Sequence, residues 1–186
     1  SALSTAGQIH ILVNNAGIEA FEPFTEIREE IWDRIFSVNV RGTFLCTQTV
    51  VPDMIDSGWG RIINITTAAG KAAAGSSVPT SMSRAAGIAM TKAMSKEYAP
   101  DNVLVNTVCI GSIKSGQNDR KWEAVVNEGS KLTLDEYYEN NGKNIPLGRV
   151  GEAIEAGDLI CFLASERASY ISGTAINIDG GAAPVV

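Results

Sequence analysis

The sequence predicts an α/β fold with parallel strands, on three observations. Short β-branched apolar runs recur at His10–Asn14, Arg61–Ile65 and Val103–Ile110. They are apolar on both faces, as strands buried between two layers of helices are. The longest helical pattern, from Thr80 to about Tyr98, joins two of these runs, so strand, loop and helix alternate. The chain's 186 residues suit one domain with a sizeable core.

The elements follow in order. His10–Asn14 reads as a buried strand ending in the turn Asn15-Ala16-Gly17. Pro23 and Thr25 lead into a helix with Glu26, Glu29 and Glu30 near its start, where acidic residues suit the helix dipole. Ile27, Ile31 and Ile35 share one face of it. Ser37–Phe44 continues into a second helix through Val50 and Met54, ended by Gly58 and Gly60. The strand Arg61–Ile65 breaks into a small-residue loop carrying Thr66 and Thr67, the kind of place where open α/β sheets bind ligands. The helix that follows is rich in Ala and Gly, which permits close packing. Pro100-Asp101-Asn102 turns into the apolar strand Val103–Ile110. Ser112 to Pro146 has no strand pattern, and Thr133-Leu-Asp-Glu136 is a capping box that starts a short helix. Loops of that length are lids, binding loops or surface excursions. Trp122, Leu134, Tyr137 and Tyr138 favour packing over a cleft. Gly148–Glu152 opens the last long helix, with Ile154, Leu159, Phe162 and Leu163 as core candidates. Tyr170–Gly181 gives a final strand and a glycine turn.

Several function classes are excluded. A net charge of −6 argues against nucleic acid or an anionic membrane surface as partner. No apolar run approaches the roughly 20 residues of a membrane span. Cys46, Cys109 and Cys161 lack C-x-x-C spacing and read as buried free thiols of a reducing compartment, the cytoplasm. His10 has no companion ligands, so no metal site is expected. The sequon Asn64-Ile65-Thr66 is discounted because it lies in a buried strand.

Several motifs together resemble the short-chain dehydrogenase/reductase family, in order along nearly the whole chain. They are Asn14-Asn15-Ala16-Gly17, Asn39 within Ser37-Val-Asn-Val, the Thr67 and Thr80-x-x-x-Arg84 frame, Asn106 to Gly111, Ser115, and Asp179-Gly-Gly181. The resemblance implies a three-layer, doubly wound parallel sheet of Rossmann type, here its C-terminal part, as one domain over 1–186 with a lid over 112–147. It implies catalytic positions at Asn39, Thr67, Thr80 and Arg84. Cofactor contacts are implied at Asn15, Ala16, Gly17, Arg84, Gly111, Ile113 and Ser115, for NAD or NADP. A homodimer or homotetramer is implied too, paired through the helices ending near Ser57 and Tyr98.

The chain departs from the family at the reacting groups. Thr67 stands where the family has serine, Thr80 where it has tyrosine, Arg84 where it has lysine, and Ile110 where it has proline. A tyrosine phenol has a pKa of about 10 and can exchange a proton near neutrality. A threonine hydroxyl is a far weaker acid, closer to water. Arg84 keeps the positive charge but cannot relay a proton. Lys71 and Lys114 are surface lysines or substitutes for the proton donor, and Tyr137 or Tyr138 could enter from the lid. The family also opens with a glycine-rich G-x-G-x-x-G turn, and none occurs here. A bare parallel edge at Ile11-Leu12-Val13 would invite aggregation, so a longer native polypeptide with further N-terminal strands is expected. The expected function is an NAD(P)-dependent oxidoreductase of an alcohol or carbonyl substrate with an atypical active site. The alternative is a catalytically silent homologue that binds a ligand or a partner.

Overall fold

The computed structural model describes Thr5 and residues 7–186. Its elements are β1 (Ile11–Asn14), a 3-10 turn (Phe24–Glu26), α1 (Glu29–Phe36), a π-helical stretch (Ser37–Gly42), α2 (Thr43–Asp56), β2 (Gly60–Thr67), α3 (Val78–Tyr98), β3 (Val103–Ile110), α4 (Gly116–Asn127), α5 (Leu134–Gly142), α6 (Ala153–Ala164) and β4 (Ala175–Ile178). Four strands form one parallel sheet in the order β1-β2-β3-β4. Asn14 stands opposite Asn64, Thr67 opposite Ile110, and Ile110 opposite Ile178. The α/β expectation therefore holds, with helices on both faces.

Each face has its own core because successive strand residues point to opposite sides. On one face Val50, Val51 and Met54 of α2 meet Ile62, Val103 and Val105, with Leu12 and Met94 packed alongside. On the other, Leu163 of α6 meets Ile63 and Val108, with Ile65, Leu159, Ile160 and Ile176 around them. A polar seam crosses under the first layer. Asn14 Nδ2 donates to Asn64 Oδ1 at 2.8 Å, Asn64 Nδ2 to Thr91 Oγ1 at 2.7 Å, and Thr107 Oγ1 to Thr91 Oγ1 at 2.7 Å. A one-residue slip of any strand would leave these buried groups unpaired, so the seam fixes the register. It also brings the ends of β1, β2 and β3 level, which is what positions the site.

Several expectations change. β1 is not buried on both faces: Ile11 and Val13 are 47% and 38% exposed, because no helix among the described residues covers their side. Ile154 and Phe162 point outward, while Leu163 fills the core as expected. Cys46 and Cys161 are exposed and only Cys109 is buried. The long helix starts at Val78, using Pro79 in its first turn, where a missing N–H costs nothing. The segment 112–147 holds two helices rather than one. The capping box at Thr133 forms as read: Thr133 N donates to Glu136 Oε2 at 2.8 Å and Glu136 N to Thr133 Oγ1 at 3.3 Å. The helix ahead of it, α4, is capped by Ser115 alone, whose Oγ accepts from Asn118 N. No helix among the described residues is long and apolar enough to cross a membrane, and none of their side chains cluster as a metal site.

Candidate functional site

A cleft of about 650 Å³ opens at the carboxyl ends of β1, β2 and β3. Its floor is Val13, Asn15, Ile65, Thr67, Ile110 and Gly111. One wall is Ser112–Ser115 with Gln117, Asn118 and Lys121 of α4; the other includes Ala156 and Gly157 of α6. Open parallel sheets bind ligands at this end. Among the expected residues, Asn15, Thr67, Arg84, Gly111, Ile113 and Ser115 line this one cleft. Gly17 borders a neighbouring recess, and Ala16 borders neither.

Thr67 ends β2 beside the cleft, its hydroxyl without a partner among the described residues. Arg84 reaches it from α3. Its Nη1 donates to Ile65 O at 3.3 Å, and its Nε is buried without a partner. Burial pulls the guanidinium below its ordinary value and Glu19 pulls it back up. It remains a cation. Gly17 makes room for it, since a Cβ there would lie 2.7 Å from Arg84 Nη2. Gly70 seats the loop after β2 against α3, because a Cβ would lie 2.8 Å from the Arg84 carbonyl carbon.

Asn39 and Thr80 do not reach the cleft. Asn39 Oδ1 accepts from Ile18 N at 2.9 Å, and its Nδ2 donates to Ile18 O and to Ser83 Oγ, each at 2.9 Å. Its own carbonyl accepts from Thr43 Oγ1 at 3.2 Å. It lies in the π-helical stretch, where the helix is locally distorted. Thr80 Oγ1 accepts from Ala20 N at 2.9 Å and donates to Ala20 O at 2.8 Å. The two side chains clamp a loop two residues apart, each pairing both the N–H and the C=O of one residue.

The alternative proton donors sort equally clearly. Lys71 Nζ donates to Ala175 O and Asn177 Oδ1, both at 2.6 Å, and ties the loop to β4 outside the cleft. Lys114 lines the cleft but pairs with Glu152 at 2.5 Å, and that hydrogen bond raises its pKa. Tyr138 is held in α5. Its hydroxyl donates to Asp119 Oδ1 at 2.6 Å, and burial together with that carboxylate pushes the phenol up. Neither Tyr137 nor Tyr138 lines the cleft. Sequence reasoning missed Glu19 and Lys121, an ion pair at 2.5 Å that joins the loop after β1 to α4 at the cleft edge. Nothing local in either segment signals this pairing.

A doubly wound parallel sheet with a ligand cleft across its strand ends defines a nucleotide-binding type of α/β protein. The comparisons with known proteins narrow this. The family described as Enoyl-(Acyl carrier protein) reductase matches residues 1–183. The 3-oxoacyl-[acyl-carrier-protein] reductase FabG of Aquifex aeolicus (strain VF5) is 41% identical over 93% of this chain and 65% of its own length. The FabG protein of Thermotoga maritima is 37% identical over 94% of this chain and 66% of its own length. The chain thus spans just under two thirds of these relatives. Among solved structures, YwfH, described as an NADPH dependent reductase involved in bacilysin biosynthesis, superposes with a TM-score of 0.88 at 30% identity, over 100% of this chain and 71% of that one. A gluconate 5-dehydrogenase from Burkholderia cenocepacia J2315, in complex with NADP and tartrate, gives a TM-score of 0.85 at 29% identity, over 100% of this chain and 69% of that one. The chain belongs to the short-chain dehydrogenase/reductase family.

Proposed function

We propose that the chain serves an NAD(P)-dependent oxidoreductase of an alcohol or carbonyl substrate, through an atypical site in which Thr67 is a reacting-side hydroxyl and Thr80 is not. The observation that carries this is the contrast between the two threonines. Thr67 is unpartnered in the cleft, whereas Thr80 is 2% exposed with its donor and acceptor both engaged by Ala20.

The residues present suit the nicotinamide and ribose of such a cofactor. The cleft is large enough, and its floor offers a buried cation with an unpartnered N–H at Arg84. Arg84 and Asn15 would hold the ribose hydroxyls, and Gly111, Ile113 and Ser115 would frame the ring. A bound nicotinamide supplies or accepts the hydride. Thr67 orients the substrate oxygen by hydrogen bonding. Lys114 is held by Glu152 and Lys121 by Glu19, each at 2.5 Å, and Arg84 does not deprotonate, so on this reading the proton comes from solvent in the cleft. Oligomerisation through α2 and α3 belongs to the same reading, supported by Phe44, Leu45 and Met82, which are 45–49% exposed on those helices. So does a cytoplasmic location.

The engagement of Thr80 also favours a second reading, a silent homologue that binds a ligand or a partner without turnover. Steady oxidation of NADH or NADPH over a panel of carbonyl compounds separates the two. Turnover supports the enzyme. Saturable cofactor binding with no turnover on the whole panel supports the silent subunit.

A further inference from the structure

A recess of about 350 Å³ adjoins the reaction cleft. The loop Gly17–Ala20, the α1 residues Ile31, Arg34 and Ile35, and the lid residues Gln117, Arg120 and Lys121 form it. Glu19, Gln117 and Lys121 line both cavities, so the recess and the cleft share one wall. The charge of Lys121 is matched by Glu19 at 2.5 Å. Arg34 and Arg120 are not matched: neither guanidinium makes a hydrogen bond or an ion pair with a described residue, and Glu30, one turn before Arg34, does not pair with it. They come from separate elements, α1 and α4, and both line this recess. The rest of the wall is Ile18, Ala20, Ile31 and Ile35, which offers nothing to a cation and dry surface to a short carbon chain. In a chain of net charge −6, two free guanidinium groups in one pocket are a local reversal of sign.

We propose that this recess binds the carboxylate or phosphate of an anionic carbonyl or alcohol substrate, with Arg34 and Arg120 as its ligands. The proposal rests on the oxidoreductase reading and adds the substrate class. Guanidinium forks match both anions in bidentate geometry and hold their charge at any working pH. The shared wall directs the rest of the substrate toward Thr67. Because Arg120 belongs to the lid and Arg34 to the body of the domain, an anion between them also draws α4 toward α1.

The test is calorimetric titration of the full chain with inorganic phosphate and with succinate, for wild type, Arg34→Gln, Arg120→Gln and the double variant. Both side chains are exposed and unpartnered, so the variants are expected to fold, and circular dichroism checks this. Saturable binding is expected in wild type, weakened about tenfold by each single change and abolished by the double change. Preference for phosphate assigns a phosphate-bearing substrate, and preference for succinate a carboxylate. No saturable binding of either probe to wild type, or equal affinity in the double variant, overturns the proposal. The titration needs neither cofactor nor turnover. A chain that binds these anions through the arginines yet oxidises no NAD(P)H keeps the anion site and removes the oxidoreductase reading instead.

Discussion

The Thr80 hydroxyl is closed on the backbone of Ala20, donating to its carbonyl at 2.8 Å and accepting from its N–H at 2.9 Å. A side chain so engaged is a structural clamp. Thr80→Val keeps the shape and strands two backbone groups, so it should cost about 1–3 kcal/mol of stability. Thr80→Ser keeps both bonds and should stay close to wild type. Urea unfolding of the two variants checks the difference.

Asn39 repeats the clamp on Ile18 and adds a bond to Ser83. Asn39→Leu removes three hydrogen bonds at a position that is 6% exposed. Its cost should exceed that of Thr80→Val, at about 3 kcal/mol or more. Limited proteolysis should then cut near residues 17–20, the loop that both clamps hold.

These clamps show where sequence reading reaches and where it stops. The alternation of strand and helix, the loop after β2 and the capping box at Thr133 were legible because each is a local pattern. The family frame also placed Thr67, Arg84 and Ser115 at one cleft. What Thr80 does was not legible, since its partner lies 60 positions away in a loop without pattern. Glu19, Arg34, Arg120 and Lys121 were missed for the same reason: only the packing of α4 beside the loop after β1 and α1 brings them to one recess. Ile154 and Phe162 misled because apolar type does not specify which side of α6 meets the sheet.

Arg84 should matter for the cofactor more than for folding. Its Nε is already unpartnered, so Arg84→Met removes a costly buried charge along with one long hydrogen bond. Stability should change by less than about 1 kcal/mol, while NAD(P)H affinity, followed by nicotinamide fluorescence, should fall at least about tenfold. Unchanged affinity would remove Arg84 from the proposed cofactor site.

The segment 112–147 is braced from within by Tyr138, whose hydroxyl donates to Asp119 at 2.6 Å and accepts from Ser115 N at 3.3 Å. Tyr138→Phe should loosen the start of α4, raising the rate of amide exchange over residues 113–119 without unfolding the sheet. It should raise KM more than it lowers kcat, since no reacting group is removed.

Acid should weaken the start of α6. The Arg149 guanidinium, together with the Glu152 N–H, holds the Glu155 carboxyl at about 2, below its ordinary value of 4.5. A depressed carboxyl stabilises the fold above its unfolded value, and that contribution is lost as pH falls from about 4.5 to about 2. Urea midpoints for wild type should decline across that window. Glu155→Gln should start lower at neutral pH and show a shallower decline.

The central claim is that Thr67, and not Thr80, serves the reaction. The most direct measurement is NAD(P)H-dependent carbonyl reduction by wild type, Thr67→Ala and Thr80→Val, at a temperature where all three are folded. The account predicts a loss in kcat of about 100-fold or more for Thr67→Ala and a change within about tenfold for Thr80→Val. A folded, cofactor-binding Thr80→Val without turnover, beside an active Thr67→Ala, would contradict it.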